Sequence, residues 1–175
     1  GLNREWWWSG ELNLENNYVN GEKEGLHRKW NNGHLTEEFN YANGKEDGLV
    51  REWYRRNGQL AVEANYENGK LEGLSRWWHE SGKLRFEINY INGKAEGINK
   101  TWYEEGRYVE ENYVNGILEG RFRVWSSMNG PLIEQGEYLN GKTEGRYRWW
   151  NKDGTLDQEA YFRDGKEVSG SRKWY

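Results

Sequence analysis

The chain contains no cysteine, one proline (Pro131) and one methionine among its 175 residues. The missing thiols exclude disulfides, zinc–thiolate centres and thiol catalysis, and assign no compartment. Aliphatic side chains are also scarce, with Leu, Ile, Val and Phe together supplying 30 of the 175 positions. That scarcity points towards disorder, but disorder also demands a large net charge, and 25 Lys and Arg against 29 Asp and Glu leave only −4. No apolar run approaches the roughly 18 residues that a membrane-spanning helix requires, and no charged-then-apolar leader opens the chain. A soluble chain without a transmembrane segment is expected. The bacterial cytoplasm is its expected location, with export or lipoprotein anchoring the alternative if a leader preceded Gly1.

What is abundant is equally one-sided. Twelve Trp and 12 Tyr bring the large apolar set to 54 residues, and each ring carries much area to bury. With 23 Gly and 20 Asn between strong β-formers, the composition describes many short strands joined by tight turns and excludes long helices.

An internal repeat organises these residues. The string Tyr-x-Asn-Gly-x-x-(Glu/Asp)-Gly starts at Tyr18, Tyr41, Tyr66, Tyr90, Tyr113 and Tyr138, with a degenerate seventh copy at Tyr161. Twelve residues after each of the six tyrosines stands a Trp: Trp30, Trp53, Trp78, Trp102, Trp125 and Trp150. The period varies between 23 and 25 residues, which speaks against an idealised design, and the variation falls after the Trp. Asn-Gly accepts positive φ at both positions, so each pair reads as a hairpin turn. The expected fold is all-β: one elongated antiparallel meander of about fourteen short strands, forming a single repeat domain over 1–175. Residues 1–17 make a half repeat, full repeats start at 18, 41, 66, 90, 113 and 138, and 161–175 forms a degenerate cap with one inserted residue.

Strand periodicity sorts the side chains by face. Positions 8, 10 and 12 after each Tyr carry Leu26-Arg28-Trp30, Leu49-Arg51-Trp53, Leu74-Arg76-Trp78 and Ile98-Lys100-Trp102, and Leu2-Arg4-Trp6 begins the series. The returning strands carry Glu15, Glu38, Glu63, Glu87, Glu110, Gln135 and Gln158, three residues before each Tyr. These columns predict a cross-strand ladder of opposite charges, whose pairing the loop lengths leave open.

One copy runs Gly73-Leu74-Ser75-Arg76-Trp77-Trp78-His79-Glu80-Ser81-Gly82-Lys83-Leu84 and continues through Glu87, Tyr90, Asn92 and Gly93. It resembles the MORN-variant repeat of the YwqK-type bacterial antitoxins, and the resemblance extends from about Leu2 to Gly165. It implies one β-hairpin per repeat in a curved sheet. It also implies an antitoxin or immunity protein that neutralises a cognate toxin by binding it; similar repeats serve in surface, lipoprotein and scaffold settings.

No catalytic constellation stands out, so a non-enzymatic protein without cofactor or metal is expected. His27, His34 and His79 lie in different copies without matching spacing, which disfavours a metal triad. Glu24, Asp47, Glu72, Glu96, Glu119 and Glu144 recur six times, and a repeated carboxylate suits turn chemistry better than acid–base catalysis. The arginine column interleaved with tryptophans suggests nucleic acid, but the glutamate column neutralises it, so no nucleic-acid partner is expected.

A residue needed in every copy solves the packing problem of every copy, so specificity is expected where copies differ. Positions 9 and 11 vary most. They supply the candidate partner-binding residues His27, Val50, Trp77, Phe122, Val124, Tyr147 and Trp149, the last group forming an aromatic cluster of the kind enriched at interfaces. A cover for the protein's own core is the alternative use of these rings. The expected partner is a protein, specifically a toxin domain, and both a monomer and an edge-mediated oligomer remain open.

Overall fold

The computed structural model describes residues 1–175, all of them outside helices. The chain forms two compact units, Gly1–Leu84 with Tyr90–Gly93, and Arg85–Asn89 with Lys94–Tyr175. The first holds β1 (Leu2–Trp6), β2 (Leu12–Val19), β3 (Glu22–Lys23), β4 (Gly25–Asn31), β5 (His34–Ala42), β6 (Lys45–Glu46), β7 (Gly48–Trp53), β8 (Leu60–Glu67), β9 (Lys70–Leu71) and β10 (Gly73–Trp78). β11 (Leu84–Ile91) contributes residues to both units. The second continues with β12 (Lys94–Trp102), β13 (Tyr108–Val114), β14 (Ile117–Leu118), β15 (Gly120–Trp125), β16 (Leu132–Leu139), β17 (Lys142–Trp150), β18 (Leu156–Arg163), β19 (Lys166–Glu167) and β20 (Lys173–Trp174). Within each unit successive strands pair antiparallel with their chain neighbours, as the meander requires.

The strands number 20 rather than about fourteen chiefly because five first strands are broken in two, four of them at the carboxylate just before a glycine. Gly25, Gly48, Gly73 and Gly120 adopt φ between 72° and 103°, a region closed to most side chains. Tyr18 lies opposite Lys23 while Glu15 lies opposite Arg28. Between these pairs four residues, Glu24 to His27, face two, Asn16 and Asn17, and the surplus bulges out at Glu24 and Gly25. The shared tyrosines answer the shared glycines directly: Tyr41 stands opposite Gly25, Tyr66 opposite Gly48, Tyr113 opposite Gly97 and Tyr138 opposite Gly120.

The Asn-Gly turns are as expected, each Asn holding φ near 50° and each Gly between 75° and 86°. The bulge decides what the repeated carboxylates do. Displaced from the strand, each one accepts the main-chain N–H of the next repeat's turn: Glu24 from Asn43 at 2.9 Å, Asp47 from Asn68 at 3.1 Å and Glu72 from Asn92 at 2.7 Å. Glu96, Glu119 and Glu144 do the same for Asn115, Asn140 and Asp164 at 2.8 to 2.9 Å. The neighbouring turn glycine donates to the same preceding repeat, as Gly69 does to the Glu46 carbonyl at 2.7 Å. Six carboxylates thus stitch each turn to the one before it.

The charge ladder exists and its register is now defined. Arg4 meets Glu15 at 2.7 Å, Arg28 meets Glu38 at 2.8 Å and reaches Glu15 at 4.0 Å, and Arg51 meets Glu63 at 2.9 Å. In the second unit Lys100 meets Glu87 at 3.6 Å and Arg148 meets Glu159 at 2.9 Å. That last pair corrects the reading of the final repeat. Glu159 rather than Gln158 faces Arg148, and Phe162 rather than Tyr161 faces Gly145. Counted from Phe162, the Asp164-Gly165 turn falls at the regular spacing and no residue is inserted before it.

Candidate binding surfaces

The alternation of the strands gives each unit a ladder face, holding positions 8, 10 and 12, and a second face holding positions 9 and 11. The second face is the packed one. In the first unit its central row runs Asn16, His27, Phe39, Val50, Ala64, Ser75; Val50 is only 2% exposed, and Asn16, Ala64 and Ser75 are also buried. In the second unit the row contains Asn99, Glu111, Phe122, Gly136, Tyr147 and Ala160, with Asn99, Phe122 and Ala160 buried.

The seven variable-position residues are therefore not equivalent. Val50, Phe122 and Val124 are buried and present no surface to a partner, which corrects the expectation for these three. Phe122 and Val124 form a core cluster with Val109, against which Ile133, Tyr138 and Tyr147 pack. Identity varies along this row because volume is exchanged across the strands. Gly136 lies opposite Phe122, and a Cβ there would stand 2.6 Å from the Phe122 ring and 2.7 Å from that of Tyr147. Residues that look unrelated copy by copy are matched to their neighbours across the sheet.

Tyr147 and Trp149 are half-buried and already engaged. Their ring centroids lie 4.4 Å apart, and Tyr147 stacks on Phe122 and Phe162 at 5.2 Å each. The Tyr147 hydroxyl donates to the Glu134 carboxylate; burial first, and this carboxylate next, push its phenol pKa upward. Arg172 from the C-terminal segment lies 4.9 Å above the Trp149 ring and donates to Gln158 at 2.6 Å and to Glu167 at 2.6 Å. The protein's own Arg172 thus covers Trp149, one of the rings that the sequence offers as an interface.

His27 is packed edge-on against Phe39 and Tyr41, at 6.1 and 5.9 Å, and its Nδ1 hydrogen bonds with the Asn16 side chain. Burial, helped by the Lys23 charge, lowers its pKa. Trp77 is half-buried in the first unit, where it pairs across the strand with Val62. Phe122, Val124, Tyr147 and Trp149 thus form one cluster, whereas His27, Val50 and Trp77 belong to separate repeats of the other unit.

A regular row of exposed apolar residues lies instead on the ladder face, at a position that sequence reasoning assigns to the scaffold. Leu26, Leu49 and Leu74 are 43%, 41% and 44% exposed, and Leu2 continues the row at 57%. The signal was in the pairing: Leu2, Leu26 and Leu49 stand opposite Asn17, Asn40 and Asn65, so polar amides and not other apolar side chains border the row. Beside it runs the charge ladder. On the same face of the second unit Arg121 and Arg146 replace the leucines, and an open groove of about 460 Å³ is lined by Ile98, Glu110, Asn112, Arg121, Arg123 and Glu137. That lining offers carboxylates, guanidinium groups and an amide, without hydroxyl, thiol or imidazole. No three His, Asp or Glu side chains converge on a metal-sized point, and no helix is long and apolar enough to cross a membrane.

The sequence model of the MORN repeat variant family matches three stretches of the chain, residues 47–70, 71–92 and 143–164. No curated protein matches. The first stretch lies in the first unit and contains the Asn68-Gly69 turn, the second takes in residues of both units and ends on Asn92, and the third lies in the second unit and ends on Asp164. MORN repeats commonly serve as protein- or membrane-binding modules.

Proposed function

We propose that the chain is a non-enzymatic protein-binding repeat protein, and more specifically an antitoxin or immunity protein that neutralises a cognate bacterial toxin by direct contact. The observation that carries the binding part is the row Leu26, Leu49 and Leu74, three large apolar side chains left open on one face of a regular scaffold. The leucines recur at one register with amides such as Asn40 between them, a stripe that offers apolar contact and hydrogen bonding together, as protein interfaces do. The adjacent charges are paired with one another, as in Arg28–Glu38 and Arg51–Glu63, so the face lacks the basic excess that anionic lipid or nucleic acid would need. A protein partner fits it better. The toxin itself rests on the resemblance of the repeats, and the bacterial cytoplasm goes with it.

Co-expression with the product of the adjacent reading frame tests the proposal. A one-to-one complex and relief of toxicity are expected. The triple substitution Leu26→Ser, Leu49→Ser, Leu74→Ser should abolish both while the protein stays folded, with a lowered melting temperature for the half of each side chain that is buried. A neighbour that neither co-purifies nor loses toxicity overturns the antitoxin reading. A scaffold module that joins other proteins is the second reading, favoured by the same exposed leucines, which by themselves select no toxin; it predicts capture of a protein that is not toxic.

A further inference from the structure

Asn-Gly occurs nine times in the chain, and the dipeptide that makes these turns is also chemically labile. Glycine lacks the side chain that would shield its main-chain nitrogen, so this nitrogen can reach the side-chain amide carbon of the asparagine before it. To attack, the nitrogen must move towards that carbon and shed its proton. An N–H held in a hydrogen bond resists both.

Most of the nine glycines are held. In the stitched turns Gly44 donates to the Lys23 carbonyl at 3.0 Å, Gly69 to that of Glu46 at 2.7 Å and Gly93 to that of Leu71 at 2.8 Å. Gly116 and Gly141 donate to the Ala95 and Leu118 carbonyls at 2.8 and 2.9 Å. The asparagine N–H in each of these turns is held as well, by Glu24, Asp47, Glu72, Glu96 or Glu119. Elsewhere Gly58 donates to the Tyr54 carbonyl at 2.8 Å and Gly130 to that of Ser127 at 3.0 Å. The Asn57 side chain is tied too, donating to the Glu80 carbonyl at 2.7 Å and accepting the Gln59 N–H at 3.1 Å.

Asn32-Gly33 differs. These two residues alone close the β4–β5 hairpin, with Asn31 opposite His34, and both are exposed. The Gly33 N–H has no hydrogen-bond partner. Backbone shape does not set the turn apart: Asn32 and Gly33 hold φ of 50° and 74°, against 50° to 51° and 75° to 83° in the five stitched turns. The same dipeptide in the same conformation therefore differs only in whether its nucleophilic nitrogen is engaged. Asn20-Gly21 stands outside the comparison, since its acceptors would belong to a repeat before Gly1.

We infer that Asn32 is a site of spontaneous deamidation, and that the stitches hold the other repeat turns against the same reaction. The Gly33 nitrogen bonds to the Asn32 side-chain carbonyl carbon and loses its proton, and the side-chain nitrogen leaves as ammonia, closing a succinimide ring. Water then opens either ring carbonyl, giving aspartate or isoaspartate; one water is consumed for each ammonia released. Isoaspartate lengthens the main chain by one atom inside a two-residue turn that requires positive φ at both positions. The product therefore adds a carboxylate and loosens the hairpin that sets Leu26 opposite Asn40.

The full chain, incubated at mildly alkaline pH and then digested, reports each Asn-Gly site by mass spectrometry. Asn32 should convert about tenfold faster than Asn68 or Asn140, the rate effect of one hydrogen bond that must break before attack. In urea all nine sites should converge on one rate, because no turn is then held. Glu72→Ala frees the Asn92 N–H, and should speed conversion at Asn92 while leaving Asn68 unchanged. Conversion of Asn32 no faster than that of Asn68 and Asn140 in the folded chain overturns the inference, as does a spread of rates that persists in urea. Unchanged conversion of Asn92 in Glu72→Ala overturns the protection assigned to the stitch.

Discussion

Gly136 lies directly opposite Phe122, with the Phe122 and Tyr147 rings closing over the place where a Cβ would stand. The glycine is required for space: it is absent from the positions of left-handed φ. Gly136→Ala should destabilise the fold by about 2 kcal/mol, the cost of forcing an extra carbon into a packed row. Adding Phe122→Leu should recover part of the loss, since the smaller side chain vacates the 2.6 Å contact. Urea unfolding of the single and double variants measures the coupling.

The carboxylate stitches predict a local effect. Glu72→Ala removes the acceptor of the Asn92 N–H, which now bonds at 2.7 Å. A loss of about 1 kcal/mol is expected, the net worth of an exposed hydrogen bond to a charged group. Hydrogen exchange should speed up at Asn92 and little elsewhere, because the other turns keep their own carboxylates.

Ladder carboxylates differ in burial, and so should their substitutions. The Glu63 side chain is 29% exposed and pairs with Arg51, whereas that of Glu159 is 9% exposed and faces both Arg148 at 2.9 Å and Arg146 at 3.6 Å. Glu63→Gln should cost about 0.5 kcal/mol and less in high salt, as exposed pairs do. Glu159→Gln should cost about 2 kcal/mol, because it leaves the Arg148 and Arg146 guanidinium groups without their shared carboxylate. Thermal unfolding at two ionic strengths separates them.

Glu111 carries a pH dependence of defined sign. Burial raises its pKa, and the Asn99 amide, 3.5 Å away, only partly opposes this. The native state therefore holds a proton that the unfolded chain has already released, and stability falls as pH rises from the ordinary carboxylate value through the raised one. Glu111→Gln removes that loss. The variant should melt higher than the parent at pH 7 and together with it at acid pH; equal melting temperatures at both would show that Glu111 is not strained by burial.

Much of this architecture is legible in the chain alone. The Asn-Gly dipeptides specify turns because few other residues accept positive φ twice in succession, and the recurring Arg and Glu columns specify a ladder because strand periodicity keeps each on one face. The six recurrent carboxylates are legible as structural, since a function repeated in every copy is a function of the repeat. The sequence by itself therefore determined the period, the hairpin turns and the columns of like residues that share a face.

Tertiary structure alone decided which face is dry. Periodicity assigns Leu26, Leu49 and Leu74 to the scaffold and offers Val50, Phe122 and Val124 for recognition, with cover for the core as the alternative use of the rings, because a shared apolar column looks like packing and a variable one like recognition. The fold buries Val50, Phe122 and Val124 and leaves the leucines partly open. Burial in a meander depends on what stands on the adjacent strand, and Phe122 is buried because Gly136 makes room for it, while Leu26 is open because its neighbour across the strand is Asn40. Such matches join residues separated by a turn of variable length, so they become visible only once the register is set.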